Sequence, residues 1–549
     1  MHARIPGHRA PLLWIALPLL AGLATGRCGL APPAAAALPA ALAAACVSAA
    51  AAARRSSGWG PALILSVFLS GSASYLLHRP AAGAEDGRPP REARLELTLD
   101  RLTASPNPRR ATGLATIAGG GAPLSGLVGR TVHFSLGVSR GQPPLARSSL
   151  VEAEGVLSPL PRRPARGSFE ERLALQGIEF TLTRGRLVRV VRPAGAYGGF
   201  CERLAARMRS VLGLGLERRP DVAAVYRAMM LGQKQDLSGG QRQLFLRSGT
   251  MHLFAINGLH IGIVAVSMHA LLALLRVPRG LAAAAVLVVL WLDVDTTGAS
   301  PSAVRAFLMV ALLEAPVLLR LPSSPLSALS AAAVLVALLD PRAVFGASFQ
   351  MSYGVVAAIL TLGLPLGERL GGRFAAYPDL SPARLSRVQR LRAAAHRHFF
   401  GALGVGTAAT LVGSVTGIEY FGLFAPAGLV ANLALAPLAA LVIVAGVLSI
   451  CLGLAGASAA SHLLNAGSSV LLRTIQGLIA LGLRIPHVWF GAHYRAPWIG
   501  PACLAFILVT CLAGYAARWR RERGGFWPPF AAAALALVFG VKFSLNAGQ

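Results

Sequence analysis

Charged residues are scarce in this chain of 549 residues. They make up 13% of the sequence, against about 25% in a typical soluble protein. Hydrophobic residues make up 54%, and the mean hydropathy is +0.59. Several apolar runs approach the roughly 20 residues that a helix needs to cross a bilayer. Because backbone groups inside a bilayer find no water, these runs predict transmembrane helices and exclude an ordinary soluble protein.

Lysine is almost absent, since Lys234 and Lys542 are the only two, so arginine carries nearly all of the net charge of +30. Compositional bias and membrane topology both explain such an excess of arginine, which therefore does not establish a nucleic-acid partner by itself.

Paired cysteines and the common catalytic motifs are also missing. The six cysteines form no CxxC pair, which argues against a zinc site or a disulfide framework. The chain has no P-loop, no HExxH and no HxHxDH motif. The pair His396 and His398 lies in a basic segment, where solvation is expected rather than metal binding. We therefore expect no catalytic residues, no metal and no cofactor.

Polar, proline- and glycine-rich sequence interrupts the apolar runs and divides the chain. Three apolar segments within residues 1–80 predict three N-terminal transmembrane helices. Residues 81–198 alternate with period two, as at Leu95, Leu97 and Leu99 and again at Val132, Phe134, Leu136 and Val138. This pattern predicts half-buried strands, and their number suits a small OB-like β-barrel. Aromatic platforms for single-stranded nucleic acid are sparse there; the candidates are Phe134, Phe169 and Phe180.

The rest of the chain returns to helical patterns. Residues 199–245 suit amphipathic helices, either at the membrane interface or packed as in a soluble protein. Residues 246–549 hold about ten further apolar segments, for about thirteen spans in all. The predicted fold is therefore a mainly α-helical polytopic membrane protein with an inserted β-domain. Arginines cluster near 276–279, 320, 367–399 and 518–524, so the positive-inside rule places these segments and the N-terminus in the cytoplasm. The β-domain and the C-terminus then lie outside.

Polar residues inside the predicted spans are candidate functional groups, because burying them in a membrane is costly. On one continuous helix over 249–275, His252, Asn257 and His260 share a face, while Gly258 and Gly262 form a GxxxG packing surface on another. Two interpretations stay open: the polar face lines a path, or it only forms hydrogen bonds within the bundle.

Three further spans carry candidates. Ser300 is a helix cap with Pro301 in the first turn, and Arg305 lies one turn inside, where it either snorkels, pairs or faces a hydrated cavity. Gln350 opens another span. Asn432 and Pro437 mark a polar and kinked point in a third.

These motifs together resemble one family. Residues 252–262 read HLFAINGLHIG, which is similar to the HLFAISGLHIG hallmark of ComEC-type competence proteins, with Asn257 in place of the usual serine. Residues 300–306 read SPSAVRA and resemble that family's SPSxxRA segment. The segments at 325–329, 340–341, 348–352 and 432–437 follow in the family's order, and 167–178 resembles its segment after the OB-like domain.

The resemblance implies an inner-membrane channel for single-stranded DNA in natural transformation. Members of that family often continue into a metallo-β-lactamase-like domain. This sequence ends at Gln549, just after its last predicted span, so we expect that nuclease domain to be absent and the chain to conduct rather than cut. Expected partners are DNA, membrane lipid, a separate nuclease and a cytoplasmic DNA motor. Two alternatives stay open: a small-solute transporter, and a non-conducting assembly component.

Overall fold

The computed structural model describes residues 10–54, 56, 58–78, 89–103, 109–139, 145–161, 168–175, 177–254, 256–321, 324–377, 385–486, 488–520 and 525–544, without a few side chains such as that of His252. The helices are α1 Leu13–Cys28, α2 Ala34–Ala53, α3 Trp59–Leu77, α4 Phe169–Leu175, α5 Ala196–Gly213, α6 Pro220–Leu231, α7 Gly239–Arg247, α8 Gly258–Leu274, α9 Arg279–Thr296, α10 Pro301–Leu319, α11 Pro325–Leu339, α12 Ala347–Arg373, α13 Arg387–Phe421, α14 Gly428–Leu454, α15 Ser458–Gly482, α16 Ile499–Ala516 and α17 Trp527–Gly540. The strands are β1 Arg91–Thr103, β2 Arg110–Gly120, β3 Thr131–Gly137, β4 Leu150–Pro159, β5 Phe180–Arg192, β6 Leu423–Phe424, β7 Phe490–Tyr494 and β8 Val541–Ser544.

The chain is a helical multi-pass membrane protein. Each of the thirteen predicted spans coincides with a helix among the described residues. Seven helices have the length and hydropathy of a membrane span: α2, α3, α10, α12, α13, α14 and α16. Four more, α1, α8, α11 and α17, are apolar but shorter. The predicted polytopic fold is confirmed.

The β-domain is a closed barrel in which strands pair in the order β1-β2-β3-β5-β4. Only β3 and β5 run parallel; the other pairs are antiparallel. Leu95, Leu97 and Leu99 fill its interior together with Phe134 and Leu136, as the alternation predicted. Phe134 and Phe180 are buried in this core, so neither offers a platform for a base.

The helices of the bundle end in two layers, which side-chain contacts identify. Arg305 near the start of α10 reaches Ser348 at the start of α12, and Tyr420 at the end of α13 reaches Phe345 and Gln350. The barrel joins this layer through an ion pair between Arg147 and Asp295 at the end of α9, so we call it the barrel end. The opposite layer, which contains the described residues near 275–279, 320–321, 373–377, 455–457 and 517–520, is the loop end.

Helices α5 to α7 form a hairpin through the depth of the bundle, which agrees with the packed arrangement that the sequence left open and not with the interfacial one. Helix α5 begins at the barrel end, where Tyr197 lies beside Asp295. It ends at the loop end, where the side chain of Val211 lies against Gly453. Its 18 residues measure about 27 Å, close to the thickness of the hydrocarbon core. Helices α6 and α7 return, and the guanidinium of Arg247 lies 5.2 Å from the centre of the Trp489 ring at the barrel end.

Helix α8 begins later than the sequence suggested. Residues Met251–Phe254 form a separate 3₁₀ turn, and the helix starts at Gly258 with Asn257 as its N-cap. The prediction of one continuous helix over 249–275 was therefore wrong. The physical reason is that the amide of Asn257 accepts hydrogen bonds from the backbone, which favours a cap over a helix interior.

The close helix contacts also differ from the predicted GxxxG surface. A Cβ atom added at Gly258 or Gly262 would meet no described atom within 4 Å. Close packing instead joins α12 to α13, where a Cβ atom at Gly404 would lie 2.3 Å from the carbonyl oxygen of Gly363 and 2.6 Å from the amide nitrogen of Gly367. Gly363 and Gly367 have the GxxxG spacing. A GxxxG pair therefore does form a close helix contact in this bundle, but in α12 and not at Gly258 and Gly262 in α8.

Irregular helix geometry lies in α12 rather than α14. Two π-helical turns, Gln350–Gly354 and Ile359–Gly363, interrupt α12. Such turns are rare and frequently occur at functional sites. Helix α14 contains Asn432 and Pro437 and is α-helical from Gly428 to Leu454, so the helix continues through the predicted kink.

The basic segment predicted as a cytoplasmic loop over 367–399 is mostly helical. Helix α12 extends to Arg373, and α13 begins at Arg387 with a capping box formed by Ser386 and Gln389. Helix α13 has 35 residues and measures about 52 Å, so it extends well past a 30 Å hydrocarbon core at the loop end.

Candidate functional site

Buried polar groups gather at one depth of the bundle, close to the barrel end. At 1.5 Å per residue they lie within about 9 Å of the barrel-end terminus of their helices. We call the following set the polar layer: His260 in α8, Asp293 in α9, Arg305 in α10, Gln350 and Tyr353 in α12, and Asn432 in α14. Four of these residues come from the sequence prediction, which had placed them at membrane depth without a common level.

Arg305 is 7% exposed and therefore does not snorkel to water. Ser300 caps its helix by accepting a hydrogen bond from the Ala303 amide at 3.3 Å, and Pro301 occupies the first turn, both as predicted. The Arg305 guanidinium donates to the carbonyl oxygen of Ser348 at 3.0 Å and to the Ser348 hydroxyl. Its Nε has no hydrogen-bond partner among the described residues. A buried arginine costs roughly 2.5–3.5 kcal/mol on insertion scales, and two neutral acceptors offset this only in part.

Gln350 lies in the first π-helical turn of α12. Its side-chain oxygen accepts a hydrogen bond from the Tyr420 hydroxyl at 2.9 Å, and the same hydroxyl lies 3.1 Å from the carbonyl oxygen of Phe345. Since Ser348 is two residues away, Arg305 and Gln350 belong to one contact network linking α10, α12 and α13. The structure thus joins these two predicted residues.

The start of α8 carries the other predicted cluster in a different arrangement. The side-chain oxygen of Asn257 accepts hydrogen bonds from the backbone amides of Leu259 and His260, at 3.0 and 3.2 Å. Asn257 is therefore a cap, a role that serine also fills. His260 is 3% exposed and lies in the first turn of α8. The side chain of His252 lies outside the described residues, so the predicted shared face stays untested for it.

Several atoms of the polar layer are buried without a hydrogen-bond partner among the described residues. They are Asp293 Oδ2, Arg305 Nε, Tyr353 Oη and Asn432 Oδ1. A buried polar atom in this state costs about 1–3 kcal/mol, and native structures contain few of them. Their concentration at one depth marks the layer as the candidate functional site.

The barrel adds further arginines above the layer. Burial and the neighbouring Arg147 lower the pKa of Arg101, while Asp100 opposes the shift. Arg101 also lies close enough to Arg305 to repel its charge. Asp295 at the end of α9 is paired with Arg147 of the barrel.

Some residues of the site were missed by sequence reasoning. Asp293 stands three residues before the end of an apolar helix, and its charge in that position was the available signal. Glu314 pairs with His269 across α8 and α10 at 2.9 Å, nearer the loop end. No periodicity shows that pair, because it joins two helices. Among the described residues no group of three or more His, Cys, Asp or Glu could hold a metal ion.

Comparisons with known proteins agree with this architecture. Residues 229–521, more than half of the chain, match a family model described as "Competence protein". A relative, ComE operon protein 3 of Bacillus subtilis (strain 168), is 29% identical over 141 residues, which are 26% of this chain and 18% of that protein. No solved structure matches. The match to the family model covers α8 to α16, including every residue of the polar layer, and the chain belongs to the competence protein family.

Proposed function

We propose that this chain is an inner-membrane channel through which single-stranded DNA enters the cell during natural transformation. The single observation that carries the proposal is the polar layer, in which unsatisfied polar atoms from four helices lie at one depth beneath an arginine-rich barrel. A path for a hydrated polyanion needs such polar groups inside a bilayer, whereas a purely structural bundle would gain stability from apolar residues there.

The proposed orientation places the barrel end outside the cell. Arg276, Arg279 and Arg320 lie at the loop end, as do Arg373 and Arg518, and the positive-inside rule assigns such clusters to the cytoplasm. DNA would then meet the barrel first, pass the polar layer and leave at the loop end. We assign conduction rather than catalysis to the layer. A separate nuclease and a cytoplasmic motor complete the proposed pathway.

The test is transformation of a naturally competent host by linear DNA. Deletion of the gene should abolish transformants, and the wild-type gene should restore them. Arg305→Ala should lower their frequency by roughly tenfold or more, because a charged group with two hydrogen bonds is worth about 1.5–3 kcal/mol. The matched control is Arg320→Ala at the other end of the same helix, which should transform normally. Normal transformation of the deletion strain would refute the channel and favour a transporter or an assembly role.

A further inference from the structure

Helix α5 exposes a basic face over Arg203–Ser210, and Phe200 is exposed on the same face nearer the barrel end. Arg203, Ala206, Arg207 and Ser210 follow the i, i+3, i+4, i+7 spacing of one helix face, and all four are exposed. We call them the basic stripe. The opposite face, formed by Cys201, Met208, Val211 and Leu212, is buried against α9 and α14.

The ends of α5 fix its direction. At the barrel end the backbone at Gly198 approaches Arg147 of the barrel. At the loop end the amide of Asn465 in α15 donates to the carbonyl oxygens of Val211 and Leu214, at 2.8 and 3.1 Å. The side chain of Asn465 also accepts from Ser449. These buried contacts hold α5 across the membrane rather than along its surface.

The depth of the two arginines decides what they face. From the start of α5, Arg203 lies about 10 Å and Arg207 about 16 Å into the helix. Neither has an ion-pair partner among the described residues. An arginine near the centre of a bilayer costs roughly 2.5–3.5 kcal/mol even on the milder scales, so two adjacent ones in lipid are unfavourable. Water on this face removes the cost.

Basic groups continue beyond both ends of the stripe. Arg101 and Arg147 precede it on the barrel. Beyond its end, a cavity of about 510 Å³ is lined by Arg218, Arg219 and His462. Glu217 also lines this cavity, but its carboxylate accepts a hydrogen bond from the Gly215 amide at 3.0 Å within the same turn.

We infer that the basic stripe is one wall of a hydrated groove that binds the phosphates of the translocating strand, with the Arg218–Arg219 cavity as its cytoplasmic exit. The inference rests on the proposed function and extends it. It assigns the phosphate contacts to α5, which precedes in the sequence every helix that contributes to the polar layer. Side chains three and four apart on a helix lie about 5–6 Å apart, so Arg203 and Arg207 contact neighbouring phosphates of one extended strand.

The first measurement is the salt dependence of binding of fluorescein-labelled oligothymidylate to the full chain in neutral detergent. For single strands the slope of log K against log salt is about −0.7 for each neutralised phosphate. The double variant Arg203→Gln/Arg207→Gln should therefore lose about 1.4 from the magnitude of the slope. Arg209→Gln is the matched control, because with its amide correctly oriented Gln233 accepts from Arg209 at 3.1 and 3.2 Å, away from the stripe. An unchanged slope in the double variant overturns the inference.

The second measurement tests hydration without reference to transformation. In a background without the six native cysteines, Ala206→Cys and Ser210→Cys should react with a charged, membrane-impermeant thiol reagent, and oligothymidylate should protect them. Leu212→Cys on the buried face should stay unreactive. Absence of labelling at both 206 and 210 would show that the basic stripe faces lipid. Labelling that oligothymidylate does not reduce would show that DNA does not bind in the groove. Either outcome overturns the inference.

Two results separate this inference from the proposed function. If deletion of the gene abolishes transformation while Arg203→Gln/Arg207→Gln transforms normally, the channel stands and the basic stripe does not. If the double variant releases bound phosphatidylglycerol but keeps its DNA slope, the arginines bind lipid headgroups and the inference fails.

Discussion

The Tyr420 hydroxyl lies 2.9 Å from the side-chain oxygen of Gln350 and ties the end of α13 to the first π-helical turn of α12. Tyr420→Phe leaves this oxygen and the carbonyl of Phe345 without their donor. We expect a loss of stability of about 1–3 kcal/mol, measured as a lower Tm in detergent, together with reduced transformation. Tyr377→Phe is the control, since no hydrogen bond to its hydroxyl occurs within the described residues. Equal Tm values for the two variants would contradict this role of Tyr420.

The glycine contact between α12 and α13 should be far less tolerant than its surroundings. At Gly404 an added Cβ atom would lie 2.3 Å from a backbone oxygen, whereas at Gly413 in the same helix it would meet nothing within 4 Å. Gly404→Ala should therefore lower stability by about 1–3 kcal/mol because the helices must separate. Gly413→Ala should be neutral or slightly stabilising. Thermal unfolding of both variants in one detergent is the measurement, and similar behaviour would argue against close packing.

The cap of α8 predicts how position 257 tolerates substitution. Asn257→Ser keeps an oxygen that accepts from the backbone, so it should retain wild-type stability and transformation. Asn257→Ala should lose about 1 kcal/mol and unwind the first turn, which holds His260. Hydrogen exchange of the amides of Leu259 and His260 reports the cap directly. Wild-type protection of these amides in Asn257→Ala would remove the cap from the explanation.

Asn432 should separate stability from function. Its side-chain oxygen is buried without a partner among the described residues, so Asn432→Leu should raise Tm while lowering transformation. The control is Thr474→Leu, which replaces an exposed polar residue on α15. Higher stability with normal transformation would show that Asn432 has no part in conduction.

The barrel should weaken in mild acid through His133. Burial lowers the pKa of this histidine on β3, whose ring lies 5.1 Å from that of Phe169. In the unfolded chain His133 therefore takes up a proton near pH 6.5, whereas in the folded barrel it takes up the proton only at a lower pH. The contribution of His133 is fully present above that pH and is lost as the pH falls from there through the lowered value. Hydrogen exchange of β2 and β3 in the full chain should speed up over this range in the wild type but less so in His133→Gln.

Period-two and span-length patterns sufficed to predict the barrel core and a polytopic helical bundle. These patterns are local, and burial of Leu95, Leu97 and Leu99 follows directly from alternation. The course of α5 could not be predicted, because its amphipathic face suits an interface equally well; the deciding contact with Asn465 lies some 250 residues away. For the same reason the sequence did not predict the glycine contact between α12 and α13, because Gly363 and Gly404 meet only when the two helices pack.

The polar layer contains residues that the sequence singled out and residues that it did not. Arg305, Gln350 and Asn432 stood out because polar residues in apolar runs are rare. Their common depth could be recognised only once the first residue of each helix was known, such as Gly258 for α8. Asp293 and the pair His269–Glu314 needed the neighbouring helix to be recognised.

The length of α13 has a mechanical consequence. A single helix of about 52 Å connects Tyr420, beside the polar layer, with Arg392 and Arg397 beyond the loop end. No hinge glycine or proline separates Arg387 from Phe400 at its basic end. The second half of the helix contains Gly401, Gly404, Gly406, Gly413 and Gly417. A pull or tilt applied to the exposed end is therefore carried rigidly as far as Phe400 and then through a glycine-rich segment toward Tyr420. A partner that binds these arginines would therefore act on the polar layer through one helix.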